Sequence, residues 1–424
     1  MTIVPFAALR PRQEYARDVG ALPYDVMNAE EALKEVEGNP NSFLHVDKAE
    51  IDLPAGTDPY NQMVYDKARE NLQDLVNRSV LAADNEPCLY IYRLIAKKSN
   101  KNINADTGSA DIHVQTGLVA CVSVEEYEKG LIKRHEFTRP DKELDRVNHI
   151  KATNAHTGPI FMAYRAGDAA SEVTPRDIIS NWINSHDPVY DILPQDKAQE
   201  KVKENHENEL KVRHMMWKID DPNTIQELIA AFKKVPSFYI ADGHHRNEAA
   251  RKVANQLGTP ESQFYLATLF PHDELAIMDY NRVVTGLSDH QKKDLLTKTQ
   301  AVLSRDPISP DKKGQAGMYM KGQWYRITLK GQGLDVDILQ KEVLSPLLGI
   351  HDPKTDKRID FVGGIRGLKE LEKRVDSGEM DVAFSMYPTS MEELMAVADA
   401  GEVMPPKSTW FEPKLLSGLL IHTF

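Results

Sequence analysis

The densest chemistry in the chain lies in five consecutive residues, Asp242, Gly243, His244, His245 and Arg246. Glycine lets a backbone come close to a ligand. Two imidazoles and a guanidinium add donors for an anion, and the carboxylate can hold a divalent cation or accept amide hydrogen bonds from its own loop. The preceding Phe238, Tyr239 and Ile240 are aromatic or β-branched, whereas 247–256 carries Ala, Arg, Lys and Glu at helical spacing. The pattern predicts a strand-to-helix turn over 241–246. Unpaired amides and the macrodipole at a helix start attract negative charge, so a phosphate group is the expected occupant. On this reading Gly243, His244, His245 and Arg246 bind the phosphate donor, Asp242 holds Mg2+, and Asp242 and His245 are also candidate catalytic groups. A capped helix with a solvated basic tip is the bland alternative, but two histidines and an arginine exceed what a cap requires.

A second cluster runs through His135, Glu136, Thr138, Arg139, Lys142, Asp145, Arg146 and His149. A helix over 141–150 places Lys142, Asp145, Arg146 and His149 on one face. A solvated charged face has the same pattern. Glu136 stands apart, in a turn after a basic pair. Phosphoryl transfer to a hydroxyl needs a carboxylate near the acceptor, and Glu136 is the candidate base. It must then lie across a cleft from Gly243, although more than a hundred residues separate them. His135, Thr138 and Arg146 are expected to bind substrate, together with Lys407 and Ser408, which follow the rigid Met404-Pro405-Pro406 run. Trp410 and Phe411 would shield that grip, or the loop is only the entrance to a packed strand. His351, Asp352, Asp356 and Arg358 read as a turn.

The elements that must position these groups are strands at 87–95, 117–124 and 159–164 and helices at 125–136 and 221–234, with a polar Lys/Glu-rich segment at 195–211. Such alternation predicts an α+β (mixed α/β) fold. The expected organisation is an N-terminal region 1–160, a phosphate-binding core 161–270 and a C-terminal region 271–424. No repeat and no low-complexity stretch interrupts it. The net charge of -12 opposes binding to a phosphate backbone, so a nucleic-acid partner is not expected. Neither a signal peptide nor an 18-residue apolar run is visible, which excludes a membrane partner and predicts a cytoplasmic location. Cys88 and Cys121 sit in apolar surroundings, so neither a disulfide framework nor a cysteine metal site is expected. The oligomeric state stays open.

The run from Asp242 to Arg246, followed by Glu248, Ala249 and Ala250, resembles the phosphate loop of the ParB and sulfiredoxin superfamily, and DGHHR is similar to the form found in its free serine kinases. Sulfiredoxins carry their catalytic cysteine near the position of His244, where this chain has none, so sulfiredoxin chemistry is not expected. Further motifs extend the resemblance: Pro5-Phe6 with Ala8-Leu9-Arg10-Pro11, Pro23-Tyr24-Asp25-Val26, IKRHEFTR with Lys142, Glu143, Asp145 and Arg146, and MPPKSTWFEPKLLSGLL. Together they resemble the family catalogued as domain of unknown function 1015. The resemblance implies a ParB/sulfiredoxin-like core with family-specific N- and C-terminal additions. It also implies phosphorylation of a small-molecule substrate, free L-serine, using magnesium and a nucleotide or pyrophosphate donor (ATP, ADP or pyrophosphate).

Two other classes compete. A ParB-like nucleotide-binding regulator without kinase activity needs a basic helix-turn-helix, and none is legible. A histidine metalloenzyme would draw on His135, His149, His214, His244 and His245, but no pair has the i, i+4 spacing of a helical zinc site.

Overall fold

The computed structural model describes residues 1–97, 112–167, 173–193 and 212–424; the Lys/Glu-rich segment at 195–211 lies outside the described residues. Mixed strands and helices form an α+β fold built on two large sheets.

The first is a nine-stranded mixed sheet. Its order runs Ile132–Lys133, Phe238–Asp242, Ile160–Tyr164, Phe264–Pro271, Ile112–Ser123, Leu89–Lys97, Val212–Ile219 and Tyr190–Ile192, with Ile3–Val4 paired to Ile112–Ser123. Strands from 1–160 and 161–270 interleave in it. Both faces are covered, so its strands read as continuous apolar runs rather than as alternation. In Leu89–Lys97, Leu89 and Ile91 pack on one face while Tyr90, Tyr92 and Leu94 pack on the other, as the two-residue period of a strand dictates. Helices Pro175–Ser185 and Pro222–Lys233 cover the first face through Ile178, Ile179, Ile225, Leu228 and Phe232.

The second sheet has six antiparallel strands, ordered Val302–Ser304, Gln323–Thr328, Gln315–Met320, Val382–Met386, Tyr280–Val284 and Ile359–Gly363. One continuous apolar core joins the sheets, running from Tyr90, Tyr92 and Phe270 to Met318, Phe384 and Leu394. The C-terminal segment then forms two small two-stranded sheets of its own: Trp410–Phe411 pairs with Ile277–Met278, and His422–Thr423 pairs with Ala155–His156. Among the described residues no helix is long and apolar enough to cross a membrane. Both cysteines are free and buried.

The expected strands at 87–95, 117–124 and 159–164 correspond to Leu89–Lys97, Ile112–Ser123 and Ile160–Tyr164, and the 221–234 helix to Pro222–Lys233. The 125–136 helix does not form as expected. Only Val124–Glu128 is helical, because Gly130 takes a left-handed φ of 73° and releases the chain into the edge strand Ile132–Lys133. That edge strand is what carries His135 and Glu136 to the site.

Candidate functional site

The strand Phe238–Asp242 is buried through Ala241, and the helix His244–Leu257 begins immediately after Gly243. Gly243 turns the chain with a φ of 92°, a conformation that a residue with a Cβ adopts only at a steric cost. The helix is held down by Ala249 and Val253, which pack against Val147 and Ile150 of the helix Pro140–Thr153. This packing brings the second cluster onto the first.

The edge strand completes the approach. Ile132–Lys133 pairs in parallel with Phe238–Asp242, with Phe238 opposite Ile132 and Tyr239 opposite Lys133. Continued at the same offset, this register sets His135 level with Ala241 and Glu136 level with Asp242. The ligand-capable atoms of His135, Glu136 and His244 accordingly lie within 4.8 Å of one another. The rings of His135 and His244 meet edge to face at 4.5 Å, and the His135 amide N–H lies 3.5 Å from His244 Nε2. Both rings are buried, at 1% and 6% exposure. Burial pushes His135 down to about 4 and holds His244 well below the usual histidine range, so both stay neutral near pH 7.

Glu136 is half-buried. Desolvation raises its pKa, assisted by the Asp242 charge and opposed by Lys407 and Lys354. Asp242 behaves oppositely. Desolvation works against its ionised form, but Lys414 Nζ donates to Oδ2 at 2.6 Å and the Gly243 N–H to Oδ1 at 2.8 Å, and together they hold the carboxyl below its ordinary value. Each of its oxygens accepts a hydrogen bond within the protein, and the Lys414 ammonium already neutralises the carboxylate. That ammonium would repel a dication at the same group, so Asp242 is a poor fit to the expected Mg2+ site.

The remaining expected residues divide. His245 Nε2 accepts from the Arg139 amide at 3.1 Å, and burial lowers its pKa. Lys407, in a left-handed conformation with φ 57°, brings Nζ to 5.7 Å from the Tyr280 ring and interacts electrostatically with Glu136 and Asp25. The loop that carries it docks through the Met404 N–H, which donates to the His135 carbonyl at 2.8 Å, and through Thr409, whose Oγ1 lies 3.4 Å from His135 Nε2. Ser408 is spent on its own turn, donating to the Pro405 carbonyl at 2.7 Å. The Thr138 hydroxyl donates to Glu143. Arg146 pairs with Asp145 at 2.8 Å and stacks 3.8 Å from the Tyr24 ring centroid.

Arg246 corrects an expectation. An exposed guanidinium, free for phosphate, was expected; instead its side chain is 15% exposed and Nη2 donates to the fully buried Asp47 at 3.2 Å and to Ser417 Oγ at 3.3 Å. Thr157 Oγ1 donates to the other Asp47 oxygen at 2.8 Å. Behind this network Arg146, His149, His156, Thr157 and Arg246 line a cavity of about 20 Å3, room for a single water. The loop at 351–358 is the expected turn, closed by the 2.6 Å pair of Arg358 and Asp356 and by Arg358 donating to the carbonyls of Leu348 and Gly349. From it only Lys354 reaches toward Glu136.

Sequence reasoning did not single out Tyr24, Asp25, Asp47 or Lys414. Tyr24 and Asp25 belong to the PYDV motif and Lys414 to MPPKSTWFEPKLLSGLL, so three of them lay inside segments already marked by the resemblance. Asp47 carried no such mark. Its neighbours in sequence are those of an ordinary short helix.

Solved structures with a related arrangement include a conserved hypothetical protein from Pyrococcus furiosus (14% identity, TM-score 0.35, covering 70% of this chain and 94% of that chain). They also include a free serine kinase in complex with ADP (14%, 0.36, 76% and 97%) and SbnI with C-terminal truncation from Staphylococcus aureus (13%, 0.36, 70% and 85%). The search of curated proteins found no match. The family model described as Protein of unknown function (DUF1015) matches residues 3–347, and the chain belongs to that family.

Proposed function

We propose that the protein is a phosphotransferase that phosphorylates a small hydroxylated metabolite, with free L-serine as the acceptor. The observation that carries this reading is the meeting of Glu136 with the turn at 242–246. A carboxylate whose pKa is raised by burial stands beside a helix N-terminus built for an anion. Lys407 and Lys354, both acting electrostatically on Glu136, add positive charge on the same side. The resemblance of DGHHR to the loop of free serine kinases supports serine as the acceptor.

In this reading the amides following Gly243 and the Lys407 ammonium hold the donor's terminal phosphate. The acceptor hydroxyl gives its proton to a Glu136 carboxylate oxygen as its own oxygen bonds to phosphorus, and the bond from phosphorus to the donor's bridging oxygen breaks. A nucleotide donor arrives with magnesium on its phosphates, which neutralises their charge. No step here relies on Asp242 holding that ion. Desolvation places the Glu136 pKa nearer the working pH, where a base is most effective.

The test is direct. Purified protein is incubated with L-serine, magnesium and, separately, ATP, ADP or pyrophosphate, and O-phosphoserine is sought by mass spectrometry. Product with at least one donor is expected. Its absence with all three overturns serine phosphorylation.

A further inference from the structure

We propose that His135, Glu136 and His244 form a binding site for a divalent transition-metal ion of borderline softness, such as Zn2+ or Co2+. The inference goes beyond phosphoryl transfer and does not depend on it.

The first support is geometric. The donor atoms of the three side chains lie within 4.8 Å of one another, against roughly 3.4 Å between two donors on a tetrahedral ion with bonds of about 2.1 Å. Small side-chain rotations close that gap. The donors come from two independent elements, the edge-strand extension at 135–136 and the first turn of the helix His244–Leu257, which the parallel pairing of Ile132 with Phe238 holds in place.

The second support is an unanswered donor. His135 is 1% exposed, and its Nδ1 has no partner in good hydrogen-bond geometry among the described residues, although the Ile240 backbone acts on the ring, whereas Nε2 faces the Thr409 hydroxyl. A buried ring nitrogen without a partner calls for one. Ligation through Nδ1 would leave the Nε2 proton to Thr409, the outer hydrogen bond that orients metal-binding histidines. His244 Nε2 faces the 135–136 segment, where its lone pair meets the His135 N–H at a long 3.5 Å, a contact that ligation through this nitrogen would replace.

The donor set decides the class of ion. Two imidazoles and one carboxylate suit Zn2+, Fe2+ or Co2+ and not the hard, oxygen-seeking Mg2+. Three protein ligands leave at least one position for water or a substrate oxygen, as in catalytic rather than structural sites. An ion here draws Glu136 away from Lys407 and leaves that ammonium for an anionic ligand. The i, i+4 rule could not detect this site, because its histidines are far apart in the chain.

The experiment uses the full-length protein freed of metal and titrated with Co2+ and Zn2+, with binding read by the visible Co2+ spectrum and by metal content after gel filtration. One equivalent bound per chain with micromolar or tighter affinity is expected, and imidazole scattering should appear in X-ray absorption of the Zn2+ form. Glu136→Gln and His244→Gln should each weaken binding by about 10- to 100-fold, whereas exposed His290→Gln should not. No bound equivalent, no imidazole scattering, or unchanged affinity in both variants overturns the site. The absorption spectrum of the unaltered protein needs no variant, so a misfolded His244→Gln leaves the test decisive. Phosphoserine is assayed separately with metal-free and loaded protein. Bound metal without phosphoserine under either condition defeats the kinase reading alone, and phosphoserine without a metal site defeats this inference alone.

Discussion

Arg246 Nη2 lies 3.2 Å from Oδ2 of Asp47, a carboxylate with no solvent exposure, so the last residue of the DGHHR run is anchored inward. Asp47 is held ionised by the Arg246 and Arg146 guanidiniums and the Thr157 hydroxyl, against the cost of its burial. Arg246→Ala should therefore destabilise the fold by about 3–5 kcal/mol, because it strands a buried charge. Thermal melts check this. In the double variant with Asp47→Ala a substantial part of the loss should return, since both charges are then gone. An unchanged melting temperature in Arg246→Ala would show the pair to be dispensable.

Lys414 occupies the oxygen of Asp242 that a metal ion would need. Adding millimolar Mg2+ to nucleotide-free protein should leave the melting temperature unchanged. Lys414→Met should make it rise with Mg2+, because a ligand that binds only the folded state stabilises it. Since Asp242 keeps 42% of its side chain exposed, water can solvate the freed carboxylate, and the variant itself should lose only about 1 kcal/mol or less. Mg2+ stabilisation of the unaltered protein would restore Asp242 as a metal ligand.

Glu136→Gln should lower turnover by about 10²- to 10⁴-fold while the protein stays folded, because the amide keeps the shape and cannot take a proton. The raised pKa also has a stability signature. Between the ordinary glutamate pKa and the raised one, the folded protein holds a proton that the unfolded chain has released, so stability falls as pH rises through that window. Glutamine lacks this dependence. Its melting temperature relative to the unaltered protein should therefore be more favourable at pH 7 than at pH 4.5. Equal differences at the two pH values would show that burial does not perturb Glu136.

Burial lowers seven histidines: His135, His149 and His422 to about 4, His156 and His214 to about 3, His244 well below its usual range, and His245 in the same direction. The unfolded chain protonates these rings below about pH 6.5, whereas the folded protein does so only at much lower pH. Their contribution is fully present above pH 6.5 and is lost as pH falls, at up to about 1.4 kcal/mol per pH unit for each ring. Urea midpoints at pH 7.5, 6 and 5 should decline steadily. A flat profile would mean that these rings are solvated in the folded protein.

The turn at 241–246 was legible because its cause is local: a β-branched and aromatic strand, a glycine for the left-handed step and a helical run follow one another without interruption. Glu136 was singled out only by residue type. Its misassigned surroundings at 125–136 show why, since the charge pattern suits a helix while the Gly130 turn and pairing with Phe238–Asp242 demand a strand. Ser408 and Thr138 look like substrate hydroxyls in any sequence, and only the fold reveals that Pro405 and Glu143 already receive their protons.

Residue order alone thus determined the α+β class, the strand-to-helix turn around Gly243 and the set of motifs that carry the family resemblance, because each depends on neighbours within a few turns of chain. Tertiary structure decided which charges are spent and which remain available. Asp47 claims Arg246, Lys414 claims Asp242, and His135, Glu136 and His244 converge, through contacts of which the His135–His244 one spans 109 and the Asp47–Arg246 one 199 positions along the chain. Closing loops of that length costs conformational entropy that no single pair recovers. These contacts form because whole strands and helices bury their apolar faces together, and the charged groups meet where that packing leaves them.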